Sequence, residues 1–153
     1  MNIGDRVVVT VKESLYEGAI GTITEIRDSE EHPLGIRRDG FRSDTGFNFD
    51  EVKPFAPKYD WQYGDNGVQE YYDATVNGKY LLVFRNKADK NLKHWMCSID
   101  NVMIENKTRN NYYRNKEGSI NPFSHHCMLS GYPAYLIKKI EYCFDHNMTE
   151  ITA

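Results

Sequence analysis

Short runs of hydrophobic residues, separated by turn-forming residues, fill the first third of the chain. "DRVVVTV" and "GAIGTITEI" are rich in β-branched residues, and "LGIRR" and "FNFDEVKPF" follow after segments rich in Asp, Ser and Gly. Short strands with turn signals at about 8–12 residue spacing are typical of a small barrel or sandwich. Residues 1–56 are therefore predicted to form one small β domain.

A change of composition follows this domain. Residues 57–70 combine Pro57 with two glycines and several acids, which predicts a linker, and residues 71–153 would then form a second domain. Two β-type runs, "YYDATV" and "KYLLVF", flank Asn77-Gly78. This dipeptide favours a type I′ hairpin turn. "HWMCSIDNVMI" further predicts one or two strands, broken near Asp100-Asn101.

The spacing of apolar residues changes from that of strands to that of a helix only near the C-terminus. "PAYLIKKIEYCFDHN" begins with Pro133, which suits a first helical turn. Helical spacing places one set of apolar residues on a single face: Leu136, Ile137, Ile140, Cys143 and Phe144. A strand is the alternative for part of this segment. The predicted fold class is mainly β, with an OB-like barrel as one arrangement of the second domain and with one late helix.

The first domain resembles the SH3-like barrels that carry a KOW motif, as in transcription elongation factors and some ribosomal proteins. The resemblance rests on "IGDRVVVT", "YEGAIGTITEI", "LGIRRDG" and the closing "FNFDEVKPF". It implies an SH3-like, KOW-type or Tudor-like barrel over residues 1–56, with a generic β-meander as the alternative. It also implies that Gly21 occupies a tight turn or a close backbone approach.

The domain plan as a whole resembles that of phage-encoded modifiers of transcription with a KOW/Tudor-like first domain. That resemblance implies DNA rather than RNA as the ligand. It also implies a host transcription or nucleoid protein as a partner, and the host cytoplasm as the compartment. The absence of a signal peptide and of an apolar run long enough for a membrane span leads to the same expectation of a cytoplasmic protein.

Charge is unevenly distributed along a chain whose formal net charge is -3. Residues 1–75 hold 8 Lys+Arg against 15 Asp+Glu, whereas residues 76–116 hold 9 against 3. An acidic first domain repels nucleic acid, so a protein partner with a basic surface or a solubilising role suits it better. Its local cluster of Arg37, Arg38 and Arg42 could still contact a phosphate.

The basic region includes "NKTRNNYYRNK", residues 106–116, where four cations surround two adjacent tyrosines. Cations attract phosphates, and aromatic rings stack on bases. The predicted nucleic-acid-binding residues, on a loop or strand edge and the preceding hairpin, are Arg85, Lys87, Lys90, Lys93, Lys107, Arg109, Tyr112, Tyr113, Arg114 and Lys116. The alternative is a solvated loop whose tyrosines turn towards the core.

Three His-Cys groups, "HWMC", "HHC" and "CFDH", are the only candidates for a metal site. None has the CxxC spacing typical of structural zinc, so free thiols are expected, with no metal and no cofactor. The chain also lacks the phosphate-loop, dinucleotide, HExxH and GxSxG motifs of common enzymes. The sequence thus predicts a non-enzymatic nucleic-acid-binding protein that modulates transcription. The alternative is an inhibitor or adaptor that docks on a host protein.

Overall fold

The computed structural model describes residues 1–89, 93–109 and 127–152, which form two antiparallel sheets, a two-stranded parallel pair (Glu105–Asn106 with Glu150–Ile151) and one long helix near the end of the chain. The first sheet contains β1 (Arg6–Val9), β2 (Ile20–Ile26), β3 (Leu34–Arg38), β4 (Thr45–Phe47) and β5 (Val52–Pro54). The remaining elements are β6 (Gln62–Asp65), β7 (Gln69–Val76), β8 (Lys79–Asn86), β9 (Trp95–Ile99), β10 (Val102–Met103), β11 (Glu105–Asn106), β12 (Ser130–Gly131), α1 (Pro133–Asp145) and β13 (Glu150–Ile151). The prediction of a mainly β fold with one late helix is confirmed. The SH3-like and OB-like barrel types stay predictions.

The first sheet has the strand order β4-β3-β2-β1-β5, and a 3-10 turn (Phe49–Glu51) precedes β5. Gly21 lies inside β2, where a Cβ atom would come within 2.8 Å of the Arg37 carbonyl oxygen. Close backbone approach, and not a turn, therefore explains this glycine. The core of the sheet consists of buried aliphatic and aromatic side chains: Val7, Val9, Ile23, Leu34, Ile36, Phe47 and Val52.

The second sheet has the order β10-β9-β8-β7-β6, and β12 also pairs with β9. Asn77 and Gly78 connect β7 to β8 with φ angles of 50° and 78°. Positive φ at both central residues is what a type I′ turn requires, so the predicted hairpin is confirmed. Asp100 and Asn101, with φ of 46° and 64°, separate β9 from β10 at the predicted break.

Residues 57–70, predicted as a linker, contain strand β6. It pairs with β7 from Gln62, opposite Asp73, to Asp65, opposite Glu70. The sequence did not mark this strand because an edge strand tolerates glycine and acidic residues on its unpaired side. The second sheet therefore begins inside the stretch that composition alone assigned to a linker.

Helix α1 packs its apolar face on the second sheet. The predicted face is buried at Leu136, Ile137, Ile140 and Cys143. Glu141 is buried as well, because the segment before β6 crosses this side of the helix and supplies hydrogen-bond donors to it. Within the described ranges, no helix has the length and apolar character needed to cross a lipid bilayer.

The two sheets are joined by packing and by a polar network. Val8 and Ile20 of the first sheet pack into the core of the second sheet. The Asp39 carboxylate, which follows β3, accepts hydrogen bonds of 2.7 and 2.6 Å from Arg6 and of 2.8 Å from the Tyr72 hydroxyl. Burial, together with this carboxylate, raises the pKa of Tyr72. The segments predicted as two domains thus share buried contacts.

Candidate nucleic-acid interface

Two of the predicted binding cations, Arg85 and Lys87, lie at the end of β8 and already have acidic partners. The Arg85 guanidinium pairs with Glu70, which faces it across the β7–β8 ladder, and donates a 2.8 Å hydrogen bond to the Asp89 carbonyl oxygen. Lys87 Nζ lies 2.7 Å from Asp65 Oδ2. Because each cation is next to a carboxylate, this edge of the sheet offers little net positive charge to a phosphate.

The other predicted binding residues follow β8 in the chain. Lys93 Nζ lies 6.0 Å from the centre of the Tyr132 ring. Lys107 and Arg109 follow β11 with helical backbone, where a loop or strand edge was predicted, and both are exposed. Neither forms an ion pair with another described residue. The rest of the predicted set lies outside the described residues: Lys90, Tyr112, Tyr113, Arg114 and Lys116.

A groove between the first sheet and α1 brings together a different set of cations. One wall comes from β1 and the following loop, the floor from β5 and the segment after it, and the other wall from α1. It encloses an empty volume of about 1490 Å³. Four lysines line it, and we refer to it as the lysine groove: Lys12, Lys53, Lys58 and Lys138.

Local structure explains why these lysines face the groove. Lys53 follows the buried Val52 in β5, so strand alternation turns it away from the first core. Lys138 lies one helical turn after Ala134, on the side of α1 that borders the groove. Among the described residues, Lys12, Lys53 and Lys138 have no acidic partner, whereas Lys58 pairs with Asp145 at 2.8 Å.

The two glutamates that line the lysine groove are both engaged. The buried Glu141 carboxylate accepts hydrogen bonds from the Tyr59 backbone N–H at 2.9 Å and from the Trp61 indole N–H at 3.0 Å. Burial, together with a hydrogen bond to Glu17, raises the pKa of the Tyr132 phenol. The groove thus combines four lysines with two glutamates, and the lysines outnumber the acids that line it.

Aromatic rings complete the lysine groove. Phe55 lines its floor, and Tyr132 and Tyr135 line the helix side, with 39% of Tyr135 exposed. Lys139 Nζ lies 5.3 Å from the centre of the Tyr135 ring. Cations for phosphates beside exposed rings for bases form the arrangement that non-catalytic nucleic-acid grooves use.

The cysteines are separate from this surface. Cys97, Cys127 and Cys143 are buried with free thiols, and burial raises the pKa of Cys97 and Cys143. A buried thiol with a raised pKa is a poor nucleophile. His94 Nδ1 lies 2.8 Å from Asp89 Oδ2. The "HH" of "HHC" lies outside the described residues.

The lysine groove was not found from the sequence. Its lysines come from four separate places in the chain: the loop after β1, strand β5, the segment after β5 and helix α1. The one local signal was the polar side of α1, where Lys138 and Lys139 are adjacent. Only the packing of α1 against the first sheet assembles the set.

Comparisons with known proteins give no relative: no protein-family model, curated protein or solved structure matches the chain. The functional inference therefore depends on the sequence and the geometry of this chain.

Proposed function

We propose that this protein binds nucleic acid without catalysis and that the lysine groove holds the phosphate backbone. The observation that carries the proposal is the set of three lysines, Lys12, Lys53 and Lys138, that share one groove and have no acidic partner among the described residues. Each lysine that neutralises a phosphate releases counterions, which makes binding favourable and dependent on salt.

The lysine groove adds to the basic stretch predicted from sequence, of which Lys107 and Arg109 are exposed. The resemblance of residues 1–56 to KOW/Tudor-like barrels favours DNA as the ligand and modulation of transcription in a host cytoplasm as the role. A host transcription or nucleoid protein would then contact the acidic first sheet. Exposed acids such as Glu30 and Glu31 lie there, in the turn between β2 and β3.

Matched double variants test which surface carries the phosphates. We expect Lys53→Gln with Lys138→Gln to weaken binding of single-stranded and duplex DNA. The slope of log affinity against log salt should fall by roughly 1.4–1.8, since each of the two lost phosphate contacts removes about 0.7–0.9. The measurement is fluorescence anisotropy of labelled oligonucleotides at several salt concentrations.

Two further double variants each remove two positive charges from surfaces outside the lysine groove. Lys79→Gln with Arg42→Gln changes exposed cations away from the lysine groove and should leave the salt slope nearly unchanged. Lys107→Gln with Arg109→Gln tests the basic stretch. If only this last pair lowers the slope, the binding surface is the sequence-predicted stretch and the lysine groove is not the interface. If the wild-type protein shows no salt-dependent binding to DNA or RNA, the docking alternative replaces the proposal.

A further inference from the structure

A second concave site lies between the two sheets. It is lined by β2 and β3 with the loops around them, by β7, β8 and β9, and by the start of α1, and it opens to solvent, so that its volume of about 520 Å³ includes solvent space at its mouth. Leu15, Phe41 and Pro133 give it apolar walls, with Leu15 78% exposed. We refer to it as the Arg38 cleft, after the cation discussed below.

The three acids that line the Arg38 cleft already have partners. Asp39 binds Arg6 and Tyr72, and Glu70 binds Arg85. Glu17 contributes to the raised pKa of Tyr132 through a hydrogen bond. Asp39 and Glu70 are therefore each paired with an arginine other than Arg38, whereas Glu17 forms no ion pair among the described residues and keeps its negative charge at the rim of the cleft.

Arg38 lines the cleft and has no acidic partner among the described residues. Two aromatic rings lie against its guanidinium, with its Cζ atom 3.7 Å from the centre of the Phe41 ring and 4.5 Å from that of Tyr16. Its Nε atom is buried without a hydrogen-bond partner, and burial lowers the pKa of the group. The two Nη atoms have no acceptor among the described residues. Their N–H groups are therefore the donors that the guanidinium offers to a ligand.

We propose that the Arg38 cleft binds a small organic monocarboxylate with an apolar, preferably aromatic, body. The edge of a guanidinium offers two parallel N–H donors that match a carboxylate. The apolar walls formed by Leu15, Phe41 and Pro133 suit the body of such a ligand. A doubly charged phosphate suits the cleft less well, because its second charge would be repelled by Glu17, which lines the cleft and forms no ion pair among the described residues. This site adjoins the lysine groove, with which it shares Glu17 and Tyr132, but its ligand and its cation differ, and the inference goes beyond the proposed nucleic-acid function.

The test uses the full chain and three probes with the same ring. We expect 3-phenylpropionate to bind. The neutral 3-phenylpropanol should bind at least about tenfold more weakly, because it cannot form a charge-assisted hydrogen bond with Arg38. The dianion phenyl phosphate should also bind at least about tenfold more weakly, because its second charge would be repelled by the carboxylate of Glu17. Nitrogen-proton correlation spectra follow the Arg38 Nε–H and the indole N–H of Trp95, which lines the cleft. The indole of Trp61, bonded to Glu141, is the internal control.

Two substitutions of neighbouring arginines separate the site from general charge. Arg38→Gln should lower the affinity for 3-phenylpropionate at least about tenfold. Arg37→Gln, on the same strand but exposed and paired with Asp44, should leave it unchanged. Arg38→Gln should also leave DNA binding unchanged, which separates this proposal from the lysine groove.

A third variant covers the case in which Arg38→Gln fails to fold. Glu17→Gln removes a negative charge from the cleft and should tighten 3-phenylpropionate binding. The proposal is overturned if 3-phenylpropionate does not shift the Arg38 and Trp95 signals. It is also overturned if the three probes bind equally, or if Arg37→Gln and Arg38→Gln have the same effect.

Discussion

At the scale of a residue, Gly21 occupies a position in the first sheet that has no room for a side chain. It lies in β2 between Val7 of β1 and Arg38 of β3, and its neighbours approach from both sides. A Cβ atom at this position would lie 2.8 Å from the Arg37 carbonyl oxygen and 2.8 Å from Ile36 Cγ2. The backbone oxygen cannot move without breaking the β2–β3 pairing, so any side chain here carries a steric cost.

We therefore expect Gly21→Ala to reduce the free energy of unfolding by roughly 1–3 kcal/mol. The matched control is Gly131→Ala, where the closest atoms to the new methyl group would be those of the Tyr135 ring, an exposed side chain that can rotate away, and Leu136 Cδ2 would lie at an ordinary contact distance of 3.9 Å. Urea unfolding of both variants measures the difference. Equal losses in the two variants would contradict the steric account.

At the scale of elements, the chain between β5 and β6 is fastened to α1 by side chains of the helix. Glu141 accepts two hydrogen bonds from this segment, and one turn later Asp145 accepts hydrogen bonds from Lys58 and from the Tyr59 hydroxyl. Tyr59 also packs edge-on against Phe144, with ring centres 5.5 Å apart. These contacts hold the floor of the lysine groove against its helix wall.

Glu141→Ala should destabilise the protein by roughly 2–4 kcal/mol. It leaves the Tyr59 backbone N–H and the buried Trp61 indole N–H without their acceptor, and an unsatisfied buried donor costs about 1–3 kcal/mol. Thermal and urea unfolding provide the measurement. Lys139→Ala, on the same helix but without a described acidic partner, serves as the control and should stay within about 0.5 kcal/mol of wild type. A loss for Glu141→Ala as small as that of the control would refute this role.

The Asp145 contacts predict a pH dependence. Hydrogen bonds from Lys58 and Tyr59 hold the pKa of Asp145 below its usual value. Because the folded-state pKa is lower than the unfolded one, this stabilisation is present above the unfolded pKa of about 4 and is lost as pH falls through the folded pKa. Asp145→Asn should therefore make stability less dependent on pH below about pH 4.

Urea unfolding between about pH 2 and pH 6 compares this variant with Asp28→Asn. Asp28 is exposed and has no ion pair among the described residues, so its removal should leave the acid dependence as in wild type. The interpretation fails if Asp145→Asn keeps the full wild-type slope below pH 4.

At the scale of the whole molecule, the two sheets are not independent of each other. β1 contributes Val7 and Val9 to the first core but Val8 to the second, so one strand belongs to both cores. Gly18, with φ of 72°, lies directly against Tyr132 at the start of α1. Unfolding of either sheet would expose buried side chains of the other.

We expect a single unfolding transition in calorimetry, with a calorimetric enthalpy equal to the van't Hoff enthalpy. Val8→Ala should lower stability by roughly 1–3 kcal/mol and shift this one transition to lower temperature without splitting it. Two resolved transitions in the wild-type protein would show instead that residues 1–56 and 71–153 unfold separately.

Several elements could be predicted from the sequence because their determinants are local. The Asn77-Gly78 hairpin depends on two residues that adopt positive φ. The strand Leu34–Arg38 depends on one short apolar run between turns. The face of α1 depends on a helical period that is visible within thirteen residues. Turn chemistry and periodicity act over a few residues, so the mainly β fold with one late helix could be read before the structure.

Tertiary structure alone decided where the charges meet. Strand β6 forms because it pairs with β7, and its own composition does not predict a strand. Arg85 and Lys87 have acidic partners that the charge pattern along the chain does not show. Lys53 and Lys138 share a groove only because α1 packs beside β5. Electrostatic energy depends on distance and burial in three dimensions, so the charge pattern along the chain indicated a basic protein surface but could not place it.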